Sequence, residues 1–235
     1  MPCPMIVLLD CQANRQHQLD LFMRLGKGWA NSIVAAGWLL SVLTTIPLSA
    51  QTVDDGRPVI LAVGESTTAG YGVPRDLSYP AQLQQLLAAN GYQYRLVNHG
   101  RSGSTVAMAL GSLDRGVLLQ PQIVLIAIGG NDSGNNVAAT RTEQNLRKLV
   151  SMFVRTGATV YLADRTETTD GGQPEQTSLY AKIAREEGAT LMPSLRQDIA
   201  GHAELLISDM RHPNADGYAI IAQRIFAMLQ PQLTK

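Results

Sequence analysis

The chain has 235 residues, with nineteen basic and nineteen acidic side chains, so its formal net charge is zero. This balance argues against a duplex nucleic-acid surface or a polybasic membrane patch, and it favours a small neutral or amphipathic molecule as the binding partner.

The N-terminal segment has the layout of a secretory signal peptide. A short basic stretch at 23–28 precedes an almost wholly apolar run at 33–46, and the small residues Ser49 and Ala50 follow it. This order is typical of a signal peptide, which we predict over 23–50 with cleavage near Ala50 and export to the periplasm or the medium. An uncleaved membrane anchor is the alternative, because residues 29–46 are about long enough to span a bilayer.

The segment before Met23 is interpreted as an upstream extension, which makes Met23 the start of translation and 51–235 a single domain. Both cysteines, Cys3 and Cys11, fall in this extension. The predicted mature chain therefore has no cysteine, which excludes a disulfide framework, a thiol nucleophile and a Cys-ligated metal.

Strands and helices alternate along the predicted mature chain. Apolar runs predict strands at 59–63, 94–99, 123–128, 159–163 and 190–192, and helical periodicity predicts helices at 79–90, 108–119, 141–156, 178–187 and 215–229. This order predicts one three-layer α/β/α domain around a parallel sheet of about five strands.

A serine follows the first strand at a chemically favourable place. Residues 59–63 are uninterrupted Val, Ile, Leu and Ala, as in a strand buried on both faces, and Ser66 comes just after Gly64. Ligands and reactive groups collect beyond the carboxyl ends of parallel strands. Ser66 is therefore either a reactive serine or an ordinary cap of the next helix.

Two further strand ends could serve the same chemistry. Gly103 follows the second strand and Asn131 follows the third. Acyl transfer needs hydrogen-bond donors for a developing oxyanion, and the backbone N–H groups of Ser66 and Gly103 and the side-chain amide of Asn131 could supply them. Asn131 could instead be an ordinary turn residue, and Asp132 is interpreted as a structural hydrogen-bonding residue.

A histidine and an aspartate lie close together before the last helix. Asp209 precedes His212 by three residues, and Pro213 favours a loop conformation at His212. Histidine can take the proton of a serine near neutral pH, and a carboxylate on its other ring nitrogen fixes the tautomer. Asp209 and His212 are thus candidates for the pair that activates Ser66.

Other polar residues have weaker cases. His99 also lies at a strand end and is the rival base, whereas His202 is interpreted as solvated. Arg101 and Arg211 either contact an anionic substrate group or are simply solvated. The polar loop at 164–174 is a candidate substrate lid.

Four stretches of the chain together resemble a known family. Residues 64–71 (GESTTAGY), 98–105 (NHGRSGST), 129–132 (GGND) and 209–214 (DMRHPN) match, in order and spacing, the four blocks of the SGNH (GDSL) hydrolases. The resemblance is strongest to the bacterial periplasmic thioesterase/lysophospholipase and arylesterase branch, and it extends from about Val59 to the C-terminus.

This resemblance implies a flavodoxin-like α/β/α fold and hydrolysis of carboxylic esters or thioesters without metal or cofactor. By position it implies that Ser66 is the nucleophile, His212 the base, Asp209 its orienting acid, and Gly103 and Asn131 the oxyanion-hole residues. One departure is Glu65, where the family usually has aspartate.

Two alternatives stay open at this point. A carbohydrate acetyl esterase of the same fold would use the same residues. A flavodoxin-like module that binds phosphate or flavin could use the hydroxyl-rich turn at 64–70 to hold an anion, but it would leave Asp209 and His212 without a role.

Overall fold

A computed structural model of the chain describes residues 55–165 and 174–235, which fall within one compact unit, Thr52–Lys235. The predicted upstream extension, the predicted signal peptide and most of the predicted 164–174 loop lie outside the described residues. No helix in these two ranges is long and apolar enough to span a bilayer.

A single parallel sheet organises the described residues. Its order is β2-β1-β3-β4-β5. The strands are β1 (Val59–Gly64), β2 (Arg95–Gly100), β3 (Ile123–Ala127), β4 (Thr159–Ala163) and β5 (Thr190–Met192). The five predicted strands are confirmed, with ends that differ by a residue.

The helices fill the connections between the strands. They are α1 (Ser66–Ala69), α2 (Tyr79–Ala89), α3 (Val106–Gly111), α4 (Asp114–Leu118), α5 (Gly130–Gly134), α6 (Ala139–Val154), α7 (Pro174–Glu187) and α8 (Ala215–Leu229). Single 3-10 turns occur at Arg75–Leu77, Ala203–Leu205 and Gln230–Gln232.

One helix prediction is wrong. Residues 108–119 form parts of two helices, α3 and α4, and not one continuous helix. α3 ends at Gly111, a weak helix former, and the hydroxyl of Ser112 donates to the carbonyl of Ala109 at 3.0 Å. The break allows Leu113 to be fully buried.

Apolar side chains leave the sheet alternately on its two faces and form two cores. Ile60 and Leu125 pack with helices α2 and α8, whereas Leu61 and Ile126 pack with α3, α6 and α7. A strand has a side-chain period of two, so an uninterrupted apolar run covers both faces. The predicted three-layer α/β/α fold is confirmed.

The strand order brings three turns together at the carboxyl edge. β1 lies between β2 and β3, and Gly64 at its end is aligned with Gly100 of β2 and Ala127 of β3. The chain thus winds in opposite directions from β1, which is where open α/β sheets form their binding crevice. The turns after β1, β2 and β3 carry Ser66, Gly103 and Asn131.

Candidate active site

Ser66 is the first residue of the short helix α1, directly beyond the last residues of β1. The Asn98 side chain donates to the carbonyl of Thr68 at 2.8 Å, and the Tyr79 hydroxyl donates to the Thr68 hydroxyl at 3.2 Å. β2 and α2 therefore hold the turn from two sides. The capping interpretation of Ser66 is wrong, because its hydroxyl bonds to His212.

Asp209 and His212 lie on a closed loop before α8. Leu206 and Pro213 form an isolated antiparallel bridge, and the Ile207 N–H donates to the His212 carbonyl at 2.9 Å. Within this loop, Asp209 Oδ1 accepts the His212 backbone N–H at 2.9 Å. The loop alone therefore fixes the acid next to the imidazole.

A continuous chain of hydrogen bonds joins this loop to Ser66. His212 Nδ1 lies 2.6 Å from Asp209 Oδ2, and His212 Nε2 lies 2.8 Å from Ser66 Oγ. Desolvation raises the pKa of Asp209, but hydrogen bonds from His212 and Arg211 outweigh it and lower the pKa to about 2. An ionised Asp209 assigns the proton to Nδ1 and leaves Nε2 to accept the serine proton.

An aromatic ring lies against the imidazole. The ring centroids of Tyr71 and His212 are 4.6 Å apart, at an interplanar angle of 49°. The backbone of Tyr71 is fixed at both ends, because its N–H donates to Ser66 O at 3.0 Å and its carbonyl accepts the Tyr218 hydroxyl at 3.0 Å. The sequence analysis assigned Tyr71 no role, although the residue lies in the first matching block.

Two backbone amides near Ser66 are suited to hold an anion. Ser66 occupies the first position of α1, where an amide has no acceptor within its helix. Gly103 has a φ of +76°, and within the described ranges its N–H has no hydrogen-bond acceptor. A Cβ at 103 would meet nothing within 4 Å, so lack of space does not require glycine at this position. The positive φ is what favours glycine here.

The Asn131 side chain is engaged on both of its amide hydrogens. Its Nδ2 donates to Glu65 Oε2 at 2.7 Å and to the Ser104 carbonyl at 3.1 Å. It therefore lies next to the turn that carries Ser66, but in this state both hydrogens already have acceptors. The neighbouring Asp132 is only 1% exposed and accepts the Val106 N–H at 2.9 Å, which is a structural role as predicted.

The remaining histidines lie elsewhere. His99 Nε2 lies 3.1 Å from Ser112 Oγ, so the rival base faces α3 and not Ser66. Burial, followed by the charge of Arg101, lowers the pKa of His99. His202 is exposed and lies 3.1 Å from Glu204 Oε1. Arg101 and Arg211 are also exposed.

One partly buried ion pair beside Ser66 was not predicted from the sequence. Arg165 Nη1 lies 3.3 Å from Glu65 Oε1. Burial raises the pKa of Glu65, while the positive charge of Arg165 opposes that shift. Both residues line an open cleft that also includes Arg196. The sequence feature that could have indicated Arg165 is its position after β4, at the same edge of the sheet.

Among the described residues, no group of three or more His, Cys, Asp or Glu side chains is placed to hold a metal ion.

Known proteins with related sequences and structures are hydrolases. The chain is 29% identical over 208 residues to esterase TesA of Pseudomonas aeruginosa, covering 86% of this chain and 99% of the relative. It is 29% identical over 178 residues to thioesterase 1/protease 1/lysophospholipase L1 of Escherichia coli K12, covering 73% and 83%. The crystal structure of the psychrotrophic esterase EstA from Pseudoalteromonas sp. superposes with a TM-score of 0.68 at 28% identity, covering 74% of this chain and 97% of EstA.

The sequence profile of the GDSL-like Lipase/Acylhydrolase family matches residues 62–220. This range includes the Ser66 turn, Gly103, Asn131 and the Asp209–His212 loop. The chain belongs to the GDSL-like lipase/acylhydrolase family and is an ester hydrolase.

Proposed function

We propose that the protein hydrolyses carboxylic esters or thioesters through an acyl-enzyme, with Ser66 as nucleophile, His212 as general base and acid, and Asp209 as the residue that orients His212. The observation that carries this proposal is the unbroken path from Asp209 Oδ2 through both ring nitrogens of His212 to Ser66 Oγ, at 2.6 and 2.8 Å. Such distances are within the reach that general-base catalysis needs.

In the first half-reaction, Ser66 Oγ attacks the carbonyl carbon as its proton passes to His212 Nε2. The carbonyl oxygen becomes an oxyanion. When this intermediate collapses, the bond to the leaving oxygen or sulfur breaks, and His212 gives its proton to the leaving group.

In the second half-reaction, a water attacks the acyl-enzyme while His212 takes its proton. Collapse then releases the carboxylic acid, and the proton returns to Ser66. Asp209 stays ionised throughout and stabilises the imidazolium that forms.

The oxyanion is assigned to the backbone N–H groups of Ser66 and Gly103 and the side-chain amide of Asn131. Among residues 55–165 and 174–235, neither of these two backbone N–H groups has a hydrogen-bond acceptor. The Asn131 amide joins them once one of its two present acceptors is exchanged for the oxyanion. Losing one such donor typically reduces turnover by about 10²–10³-fold.

The substrate class is a carboxylic ester or thioester of a small molecule. The names of the relatives, esterase and thioesterase/lysophospholipase, support a leaving group that is attached through oxygen or through sulfur. A series of p-nitrophenyl esters and acyl thioesters of increasing chain length, run beside an acetylated sugar, decides among the classes. A rate that falls steeply beyond acetyl favours the carbohydrate acetyl esterase, and a maximum at longer chains favours the lipid and thioester reaction.

The direct test is hydrolysis of p-nitrophenyl acetate and butyrate by the purified 51–235 protein and by Ser66→Ala. We expect the variant to lose at least about 10³-fold in kcat, because the residual activity without a nucleophile comes from binding and oxyanion stabilisation alone. Ser151→Ala, a serine on α6 whose hydroxyl bonds to the Arg147 carbonyl, is the matched control. Equal rates in wild type and Ser66→Ala would remove the mechanism. A yellow preparation without esterase activity would instead support the flavin-binding alternative.

We further propose that residues 23–50 direct export and are removed near Ala50, which leaves 51–235 as a single exported hydrolase domain. The basic, apolar and small-residue order of this segment supports the proposal. Mass spectrometry of the protein recovered from the periplasm or medium checks it. A mature mass that still includes residues 29–46 would favour the membrane-anchor alternative.

A further inference from the structure

Glu65 lies between the nucleophile and the Asn131 turn, where four donors meet its carboxylate. Oε1 lies 3.3 Å from the Gly130 N–H nitrogen and 3.3 Å from Arg165 Nη1. Oε2 accepts the backbone N–H of Asn131 at 3.1 Å and its side-chain Nδ2 at 2.7 Å. One carboxylate thus joins the turn after β1, the turn after β3 and the residue beyond β4.

The two hydrogen bonds of the Asn131 amide are unequal. The bond to Glu65 is 2.7 Å long and has a charged acceptor, whereas the bond to the Ser104 carbonyl is 3.1 Å long and has a neutral acceptor. Charge-assisted hydrogen bonds are shorter and roughly twice as strong as neutral ones. When an oxyanion develops nearby, the Asn131 hydrogen that is bonded to the Ser104 carbonyl is therefore the easier of the two to release.

We infer that Glu65 is a positioning residue for oxyanion stabilisation: it holds one amide hydrogen of Asn131 and so fixes the amide, and the other hydrogen exchanges the Ser104 carbonyl for the developing oxyanion. The inference rests on the oxyanion role given to Asn131 under the proposed function. It goes beyond that role because it names the residue that fixes the amide plane and the hydrogen that is exchanged.

The surroundings of Glu65 suit this role. The carboxylate must be ionised to accept from four donors, and Arg165 supplies the opposite charge at 3.3 Å. Gly130 permits the close approach, since a Cβ there would lie 2.5 Å from Arg165 Nη1 and 2.6 Å from Glu65 Oε1. Aspartate, the usual family residue, would withdraw the carboxylate by one C–C bond, about 1.5 Å. In this chain the glutamate carboxylate reaches the Asn131 side chain at 2.7 Å.

A double-mutant cycle tests the inference. Glu65→Gln places an amide NH₂ group among N–H donors and so weakens the hold on the Asn131 amide, which is a partial loss of one oxyanion donor. We therefore expect kcat for p-nitrophenyl butyrate to fall by about 10–100-fold, while KM changes by less than about 3-fold. In an Asn131→Ala background the same substitution is expected to change kcat by less than about 3-fold, because the amide that Glu65 positions is gone.

Glu65→Asp provides the second variant if the glutamine variant does not fold. It keeps a carboxylate, so we expect a smaller loss of kcat that likewise disappears in the Asn131→Ala background. Glu204→Gln, which changes an exposed carboxylate bonded to His202, is the matched control for charge removal. Thermal unfolding of each variant confirms that the folded protein is being assayed.

Each outcome of the cycle has a distinct meaning. If the losses from Glu65→Gln and Asn131→Ala multiply, Glu65 acts through something other than the amide and the inference is overturned, while the proposed function stands. If Asn131→Ala keeps wild-type kcat, the oxyanion role of Asn131 and the inference are both removed. A Ser66→Ala variant as active as wild type would be the failure of the proposed function itself.

Discussion

The Nε2 atom of His212 lies 2.8 Å from the Oγ atom of Ser66, although 146 positions separate the two residues along the chain. Ser66 begins the helix after the first strand, and His212 lies just before the last helix. α1 follows β1 at the carboxyl edge of the sheet and α8 packs in the core on one face, so the hydrogen bond depends on how that core is packed.

Asp209→Asn tests whether the Asp209 carboxylate orients and stabilises the His212 imidazole. Asparagine can accept the backbone N–H groups of the loop, but it does not stabilise a charged imidazolium and permits the wrong histidine tautomer. We expect kcat to fall by about 10³–10⁴-fold with little change in KM. Steady-state kinetics with p-nitrophenyl butyrate measure this, and a loss of less than 10-fold would contradict the role given to Asp209.

The stability of the wild type relative to Asp209→Asn is expected to depend on pH. The pKa of Asp209 is lowered to about 2 in the folded protein, so its stabilising contribution is complete above the ordinary aspartate pKa of about 3.9 and is lost as pH falls towards 2. Because the side chain is 37% exposed, the contribution is about 1 kcal/mol after solvent screening. Urea unfolding at pH 6, 4 and 2.5 checks this, and a difference that does not shrink on acidification would contradict it.

Gly103→Ala tests the loop amide. A φ of +76° is strained for alanine, by about 1–2 kcal/mol, although the new methyl group meets no neighbour. If the loop relaxes, its N–H turns away, and we expect kcat to fall by about 10–100-fold.

Gly157→Ala is the matched control for Gly103→Ala. Gly157 has a φ of +86°, is equally open and follows α6. We expect a similar loss in the free energy of unfolding with unchanged kcat. Equal effects of the two substitutions on kcat would show that the loss at Gly103 does not come from the oxyanion role proposed for its N–H.

Tyr71→Ala tests the ring beside His212. The imidazole loses a neighbour 4.6 Å from its centre. Misplacing a catalytic group by about 1 Å can cost about 10²-fold in rate, and we expect a smaller loss here, about 10-fold in kcat. Tyr71→Phe keeps the ring and should behave like wild type. Leu118→Ala, at an 80% exposed residue, controls for removal of a large apolar side chain. Equal kcat for the alanine and phenylalanine variants would remove the positioning role of Tyr71.

The sheet could be predicted from the sequence because its strands are uninterrupted runs such as 123–128. Such runs occur when both faces of a strand are buried, and both faces are covered here. The break between α3 and α4 was harder to predict. Leu110, Leu113 and Val117 keep the apolar spacing of a single helix through the break, whereas Gly111 and the Ser112 hydroxyl end α3.

Much of the site could be located in the sequence because its residues occur in short, spaced blocks. The blocks do not indicate which hydrogen bonds each side chain makes. The sequence predicts Asn131 at the end of the third strand, but it does not indicate that Glu65 and the Ser104 carbonyl hold the Asn131 amide. Arg165 belongs to no block, and its pairing with Glu65 across 100 positions depends on the adjacent ends of β1, β3 and β4.

The loop that carries Asp209 and His212 is closed on itself by the Leu206–Pro213 bridge and by the Ile207 to His212 hydrogen bond. The contact between Asp209 and His212 therefore forms within one short segment, whereas the contact between His212 and Ser66 joins two segments far apart in the chain. We expect any displacement of this loop from α1 to break the hydrogen bond to Ser66 first and to keep the carboxylate–imidazole pair.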